Sequence, residues 1–159
     1  MLFTGEYEHT IDPKSRLAIP ADIRSRLDPE KDGEAFYVVL GPDRILWIYP
    51  DKYYERLVET LDQALLGDQS LLEYEQLTFP ACKRIEMDSA GRIRLTEKIL
   101  KRANLRPQQK VTLIGVRDHM EVRDREQWEE DLEQRLANQG AILMAARNRL
   151  AARERENAG

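Results

Sequence analysis

Two short stretches set an aspartate four residues ahead of an arginine, with a polar turn between: Asp12-Pro-Lys-Ser-Arg16 and Asp88-Ser-Ala-Gly-Arg92. An aspartate at the head of a turn accepts backbone N–H bonds and pairs with the returning guanidinium, which fixes where the arginine points. A planar fork held in one direction suits the O6 and N7 edge of guanine, and cations around it suit phosphate. Lys14, Arg24 and Arg26 stand near the first turn, and Arg94, Lys98, Lys101 and Arg102 near the second. The plainer reading is that both Asp–Arg pairs only stabilise their turns. The surrounding positive charge favours DNA.

Other chemistry finds less to build on. The chain has no glycine-rich phosphate loop, no His-Glu-x-x-His and no Gly-x-Ser-x-Gly. His9 and His119 are far apart in sequence and Cys82 is the single cysteine, so neither a metal site nor a disulfide framework is expected. No enzyme activity, cofactor or small-molecule substrate is expected.

The elements that must position the turns occur twice. Setting Asp12 on Asp88 puts Arg16 on Arg92, Leu17 on Ile93, Ile19 on Leu95 and Ile23 on Ile99 without a gap. Each copy reads as an extended segment, a turn, a strand, a short helix and a hairpin. Val39–Ile48 aligns with Leu113–Val122 as that hairpin, after a two-residue slip. One copy is about 45 to 50 residues, too small to bury a comfortable core alone, so the two should share one.

Net charge is -4 over 159 residues, yet the sign is segregated. Lys83 to Arg106 holds eight basic and three acidic residues, and His9 to Arg26 four and two; Asp51 to Gln76 reverses this with two basic and seven acidic. The turn-bearing segments are basic and the helical ones acidic, as a surface for a polyanion would be. The longest apolar runs span only a few residues, which excludes a membrane helix, and the N-terminus lacks the pattern of a secretory signal.

Along the chain, strands are expected at residues 35–40, 45–49, 111–114 and 120–122. In the first turn strand Leu17 and Ile19 face one way, Arg16 and Ala18 the other. Asp51 is expected to cap a helix carrying Tyr54, Leu57, Val58, Leu61 and Leu65, and Ser70 with Glu73 to open a second helix as a capping box. Trp128, Leu132 and Leu136 line a face of a later helix. An alanine- and arginine-rich helix follows from 141 to 156, with Gly140 a hinge before it.

The residues Gly5-Glu-Tyr-Glu-His9, Asp12-Pro-Lys-Ser-Arg-Leu-Ala-Ile-Pro20 and Asp88-Ser-Ala-Gly-Arg92 resemble the MraZ family of bacterial transcriptional regulators, encoded at the head of the division and cell wall cluster. The resemblance covers roughly residues 1–135. It implies a mainly β fold with α: two tandem AbrB-like units, 1–77 and 78–138, folding as one body in a pseudo-twofold, double-psi, swapped-hairpin β-barrel with flanking helices; the helical extension at 139–159 lies beyond the resemblance. It further implies a ring-forming homo-oligomer that binds G-rich direct repeats in its own promoter, usually as a repressor, in the cytoplasm at the nucleoid.

The DNA-reading loop then falls on Asp12 to Arg16, with Lys14 and Arg16 as its contacts; the residues themselves add Ser15 in the same turn and Arg24 and Arg26 on the helix after it, the last two for the DNA backbone. Asp12, Asp88, Gly91 and Arg92 orient the turns. Two departures stand out: Ser15 occupies the usual glycine position, and Thr96 replaces the proline seen at Pro20 in the first copy. Ala90 also stands where the first turn has Lys14, so Arg92 is assigned mainly to geometry. The alternative is a non-enzymatic structural or protein-interaction oligomer.

Overall fold

In the computed structural model, which describes residues 1–61 and 68–159, each copy of the repeat contributes four strands. The first gives β1 (Glu6–Thr10), β2 (Arg16–Ala18), β3 (Ala35–Leu40) and β4 (Leu46–Pro50); the second gives β5 (Lys83–Glu86), β6 (Arg92–Arg94), β7 (Lys110–Val116) and β8 (His119–Asp124). A six-stranded antiparallel sheet runs β1-β7-β8-β4-β3-β5, and β2 pairs with β6 as a separate ribbon. Exchanging every strand for its counterpart in the other copy reverses the sheet order and leaves it unchanged. The first strand of each copy pairs with the third of the other, Tyr7 against Leu113 and Phe36 against Ile85. Two tandem units therefore share their ladders, which is how small repeats obtain one core.

The expected barrel is met only in part. β1 and β5 are the two edges of the sheet and do not pair with each other, while the three-residue β2 and β6 pair together. Among the described residues the sheet stays open, because the strands that would close it form their own ribbon.

The core lies between ribbon and sheet. Leu17 and Ile93, opposite each other at the centre of the ribbon, are both fully buried, and they cluster with Phe3, Ile11, Ile23 and Phe36. Helix α1 (Ala21–Ser25) adds Ile23, and α4 (Glu97–Arg102) adds Ile99 and Leu100. Thr96 caps α4, its hydroxyl accepting from the Ile99 amide, so the replaced proline position retains a helix start.

Other expected helix starts differ. Asp51 is the first residue of α2 (Asp51–Glu59) and does not cap it. Its buried carboxylate instead accepts from the Arg84 guanidinium at 2.9 Å and the Ala35 amide at 3.4 Å, tying α2 to β3 and β5. Helix α3 (Gln69–Thr78) is capped by Asp68, which accepts from the Ser70 amide, rather than by Ser70 itself. An aspartate two residues upstream of the amide makes the shorter reach. Leu65, assigned to the α2 stripe, lies outside the described residues.

The chain divides into two compact units, Met1–Arg125 and Glu126–Gly159. The second contains α5 from Glu126 onward (Arg125–Ala137 in full) and α6 (Gln139–Ala158). The break between these helices falls at Asn138; Gly140 lies inside α6.

One buried cluster sits where β4 pairs with β8. His119 stacks on Trp47 with ring centroids 3.9 Å apart, its Nδ1 lies 2.8 Å from Asp118 and its Nε2 3.1 Å from Glu121. Tyr53 of α2 donates to the second oxygen of Asp118, and Arg123 and Arg117 approach Glu121 and Asp118. Only an imidazolium donates from both nitrogens at once. Burial pulls the His119 pKa down, but Glu121 and Asp118 outweigh it, and the value is raised above 6.5. The folded state then holds this proton more tightly than the unfolded chain. The contribution is complete below the unfolded value and is lost as pH rises through the folded one. His119→Gln should therefore lower the denaturation midpoint most at about pH 5.5, below the unfolded value, and less at about pH 9. An equal loss at both pH values would contradict the charged state.

Candidate nucleic-acid interface

Both Asp–Arg turns close in the same way. In the first, Asp12 Oδ1 accepts from the amides of Lys14 (2.9 Å) and Arg16 (2.8 Å), and Oδ2 accepts from Arg16 Nε at 2.6 Å. In the second, Asp88 Oδ1 accepts from Ala90 (2.9 Å) and Arg92 (3.0 Å), and Oδ2 from Arg92 Nε at 2.9 Å. Reciprocal backbone bonds, Asp12 N to Arg16 O and Asp88 N to Arg92 O, shut each loop. Desolvation pulls the Asp12 carboxyl up, but the Arg16 amide and guanidinium and the Lys14 amide hold it below the usual carboxylate range. The Arg92 and Ala90 amides and the Arg92 guanidinium lower Asp88 likewise, against a smaller desolvation. Both carboxylates are charged at neutral pH.

The fourth turn residue has positive φ in both copies, 63° at Ser15 and 76° at Gly91. Serine there costs about 1 kcal/mol relative to glycine. A Cβ at Gly91 would also come 2.7 Å from Arg24 Cζ, so the Arg24 guanidinium would have to shift to admit it. Cross-bonds join the copies at the same points: Ile19 N donates to Gly91 O and Leu95 N to Ser15 O. Each turn is thus held by the strand end of the other copy.

The ribbon register decides what faces outward. Arg16 stands opposite Arg94 and Ala18 opposite Arg92, all on the face away from buried Leu17 and Ile93. Two arginines directly opposed repel. Asp12 compensates Arg16, and Arg94 turns its Nε to the Lys14 carbonyl at 3.2 Å, bracing the first turn from the second copy. The Nη groups of Arg16 have no partner among the described residues, so Asp12 fixes the fork while leaving its outer donors available. Beside the first turn lies a cleft of about 610 Å³, with Pro13, Lys14, Lys83, Arg94, Thr96 and Pro107 among its lining residues. Lys14, Lys83 and Arg94 are exposed there, while Arg84 on the same wall is held by Asp51 and Glu86.

The sequence-predicted residues are not all brought together. Lys14, Ser15 and Arg16 share the first turn, with Ser15 buried. Arg24 lies over Gly91 at the other turn and donates Nε to the Ile19 carbonyl. Arg26 spends Nη1 on the Leu2 carbonyl and the Thr4 hydroxyl. Arg94 and Lys83 were absent from the candidate contacts. The alternation Arg92-Ile93-Arg94 was the signal for the first, since it puts both arginines on one face once Ile93 turns inward.

Residues 2–70 and 79–153 match the family described as "MraZ protein, putative antitoxin-like". The chain belongs to the MraZ family. Among its relatives is the transcriptional regulator MraZ of Clostridium tetani, 33% identical over 81% of this chain and 86% of that protein. Those of Heliobacterium modesticaldum and Pediococcus pentosaceus are 34% and 31% identical, over 80% and 84% of this chain and 84% and 88% of their own. These MraZ relatives are named for a regulatory role, which is not an enzymatic one. In this MraZ-family chain no helix among the described residues is long and apolar enough to cross a membrane.

Proposed function

We propose that the chain is a sequence-specific, DNA-binding transcriptional regulator that represses its own division and cell wall operon from the cytoplasm, at the nucleoid. The supporting observation is the ribbon face: Arg16, its fork oriented by Asp12, beside Lys14, Arg92 and Arg94. Arg16 reads guanine O6 and N7 in G-rich direct repeats, and Lys14 reaches a base edge or a phosphate. Ser15, buried behind them with its carbonyl accepting from Leu95 N, sets the angle of the turn that presents both. Arg94 and Lys83 hold the phosphate strand along the cleft. Arg24 keeps two nitrogens for a phosphate near the second turn, and Arg26 contributes through its remaining nitrogens. Asp12, Asp88, Gly91 and Arg92 set turn geometry. Residues 1–77 and 78–138 act as the two AbrB-like units and 139–159 as an extension.

The regulator acts as a ring-forming homo-oligomer on this reading. An apolar cleft of about 560 Å³, whose lining includes Val39, Leu57, Val58, Leu61, Tyr74 and Leu77, supports assembly, as does the exposure of Leu71, Leu72 and Leu77 on α3. That same surface favours the alternative of a structural oligomer, and DNA binding separates the two. In a gel shift with a G-rich repeat duplex, log affinity should fall with log salt by roughly 0.9 for each phosphate neutralised. Equal affinity at about 50 and 200 mM salt would remove this interface from consideration.

A further inference from the structure

We propose that α5 and α6 pair antiparallel with the same helices of a second copy. Asn138 alone, at φ −111° and ψ 17°, separates the two helices; its N–H donates to Arg135 O at the end of α5 and its carbonyl accepts from Ile142 N at the start of α6. One residue is too short for α6 to return along α5, since helical hairpins use about two to five. Yet Leu136, Ile142, Leu143, Met144 and Leu150 are 48 to 59% exposed.

Leu136, Leu143 and Leu150 recur every seven residues, and Leu132 and Ala146 fall at the intervening positions. That is the narrow seam of a two-stranded coiled coil, with Gln139 as its one polar position between Leu132 and Leu150. Ile142 flanks the seam and Met144 lies behind it.

Charge chooses the partner and its direction. Glu126 to Glu133 holds five acidic residues and no basic one, whereas Arg147 to Arg155 holds four arginines and one glutamate. A parallel pair would set like charge on like. An antiparallel pair centred near Ala141 sets each acidic stretch against the partner's basic one, with Leu132 opposite Leu150, Leu136 opposite Ala146 and Gln139 opposite Leu143. Glu133 then flanks Arg147. A second copy of this chain carries both complementary halves, and the opposed stretches outweigh the one like-charge approach of Arg135 to Arg149; a lipid surface would leave the acidic half unexplained. The pairing is independent of the DNA interface, since it uses none of its residues.

The test uses the full chain with Cys82→Ser. Leu136→Cys and Ala146→Cys variants are oxidised separately and mixed, with Asn148→Cys, on the opposite helix face, as control. The mixed disulfide should exceed either homodisulfide several-fold, and the control should stay uncrosslinked. In the otherwise unaltered chain, Leu143→Glu with Leu150→Glu should at least halve the mass seen by light scattering. Dominant Leu136→Cys homodisulfides would overturn the antiparallel register. Absence of crosslinks with an unchanged mass would overturn the pairing itself. Loss of binding to anionic phosphatidylglycerol vesicles in the double variant, with mass unchanged, would assign the face to lipid instead.

Discussion

Arg16→Ala should cost about 1–3 kcal/mol per engaged turn against a G-rich repeat and much less against a scrambled duplex. The asymmetry follows from the turn. Asp12 takes the Nε of Arg16 and two backbone amides, so the fork reaches the groove without first being ordered. Where an oligomer engages several repeats, the losses compound through avidity. Arg92→Ala is the control: its turn carries Ala90 in place of a lysine, and its loss should change stability more than sequence preference. Competition binding at one fixed salt concentration measures both variants. An intact cognate-to-scrambled ratio in Arg16→Ala, with a collapsed ratio in a correctly assembled Arg92→Ala, would transfer reading to the second turn.

Leu17→Ala should destabilise the fold by about 2–5 kcal/mol, a large part of the roughly 5–15 kcal/mol available to a domain. Leu17 is fully buried at the centre of the ribbon, facing its counterpart Ile93 across the pseudo-twofold axis. The cavity opens behind the arginine face of the ribbon, in the core that Leu17 shares with Ile23 of α1, Ile99 of α4 and Phe36 of the sheet. Ile93→Ala should cost a similar amount, because the repeat gives it the same surroundings. Lys14→Ala, at an exposed tip, should shift stability by under about 0.5 kcal/mol. Urea denaturation followed by circular dichroism measures all three. A loss below about 1 kcal/mol for Leu17→Ala would mean that the ribbon is not anchored to the core as described.

What the sequence made legible was what local chemistry decides. The alternation around Leu17 marks the buried and outward faces of β2, and Gly91 aligned with Ser15 is compatible with the positive φ found at both turns. The hairpin strands fell within a few residues of their observed ends. The rest depended on partners far away in the chain. Asp51 has the sequence signature of a helix cap, but Arg84, 33 positions on, competes for its carboxylate. Arg24 sits 8 residues after Arg16, yet folding carries its guanidinium over Gly91 in the other copy. The sequence puts Arg94 among the cations near the second turn, and only the ribbon register sets it opposite Arg16. The open sheet is of the same kind, since strand closure is settled by which edges meet.

Footprinting on the DNA immediately upstream of the coding region tests the central claim most directly. The account predicts protection of evenly spaced, guanine-rich repeats by the wild-type chain, with guanine N7 shielded at each repeat and protection lost in Arg16→Ala at the same protein concentration. Uniform or absent protection by a correctly folded, assembled wild-type chain would contradict it.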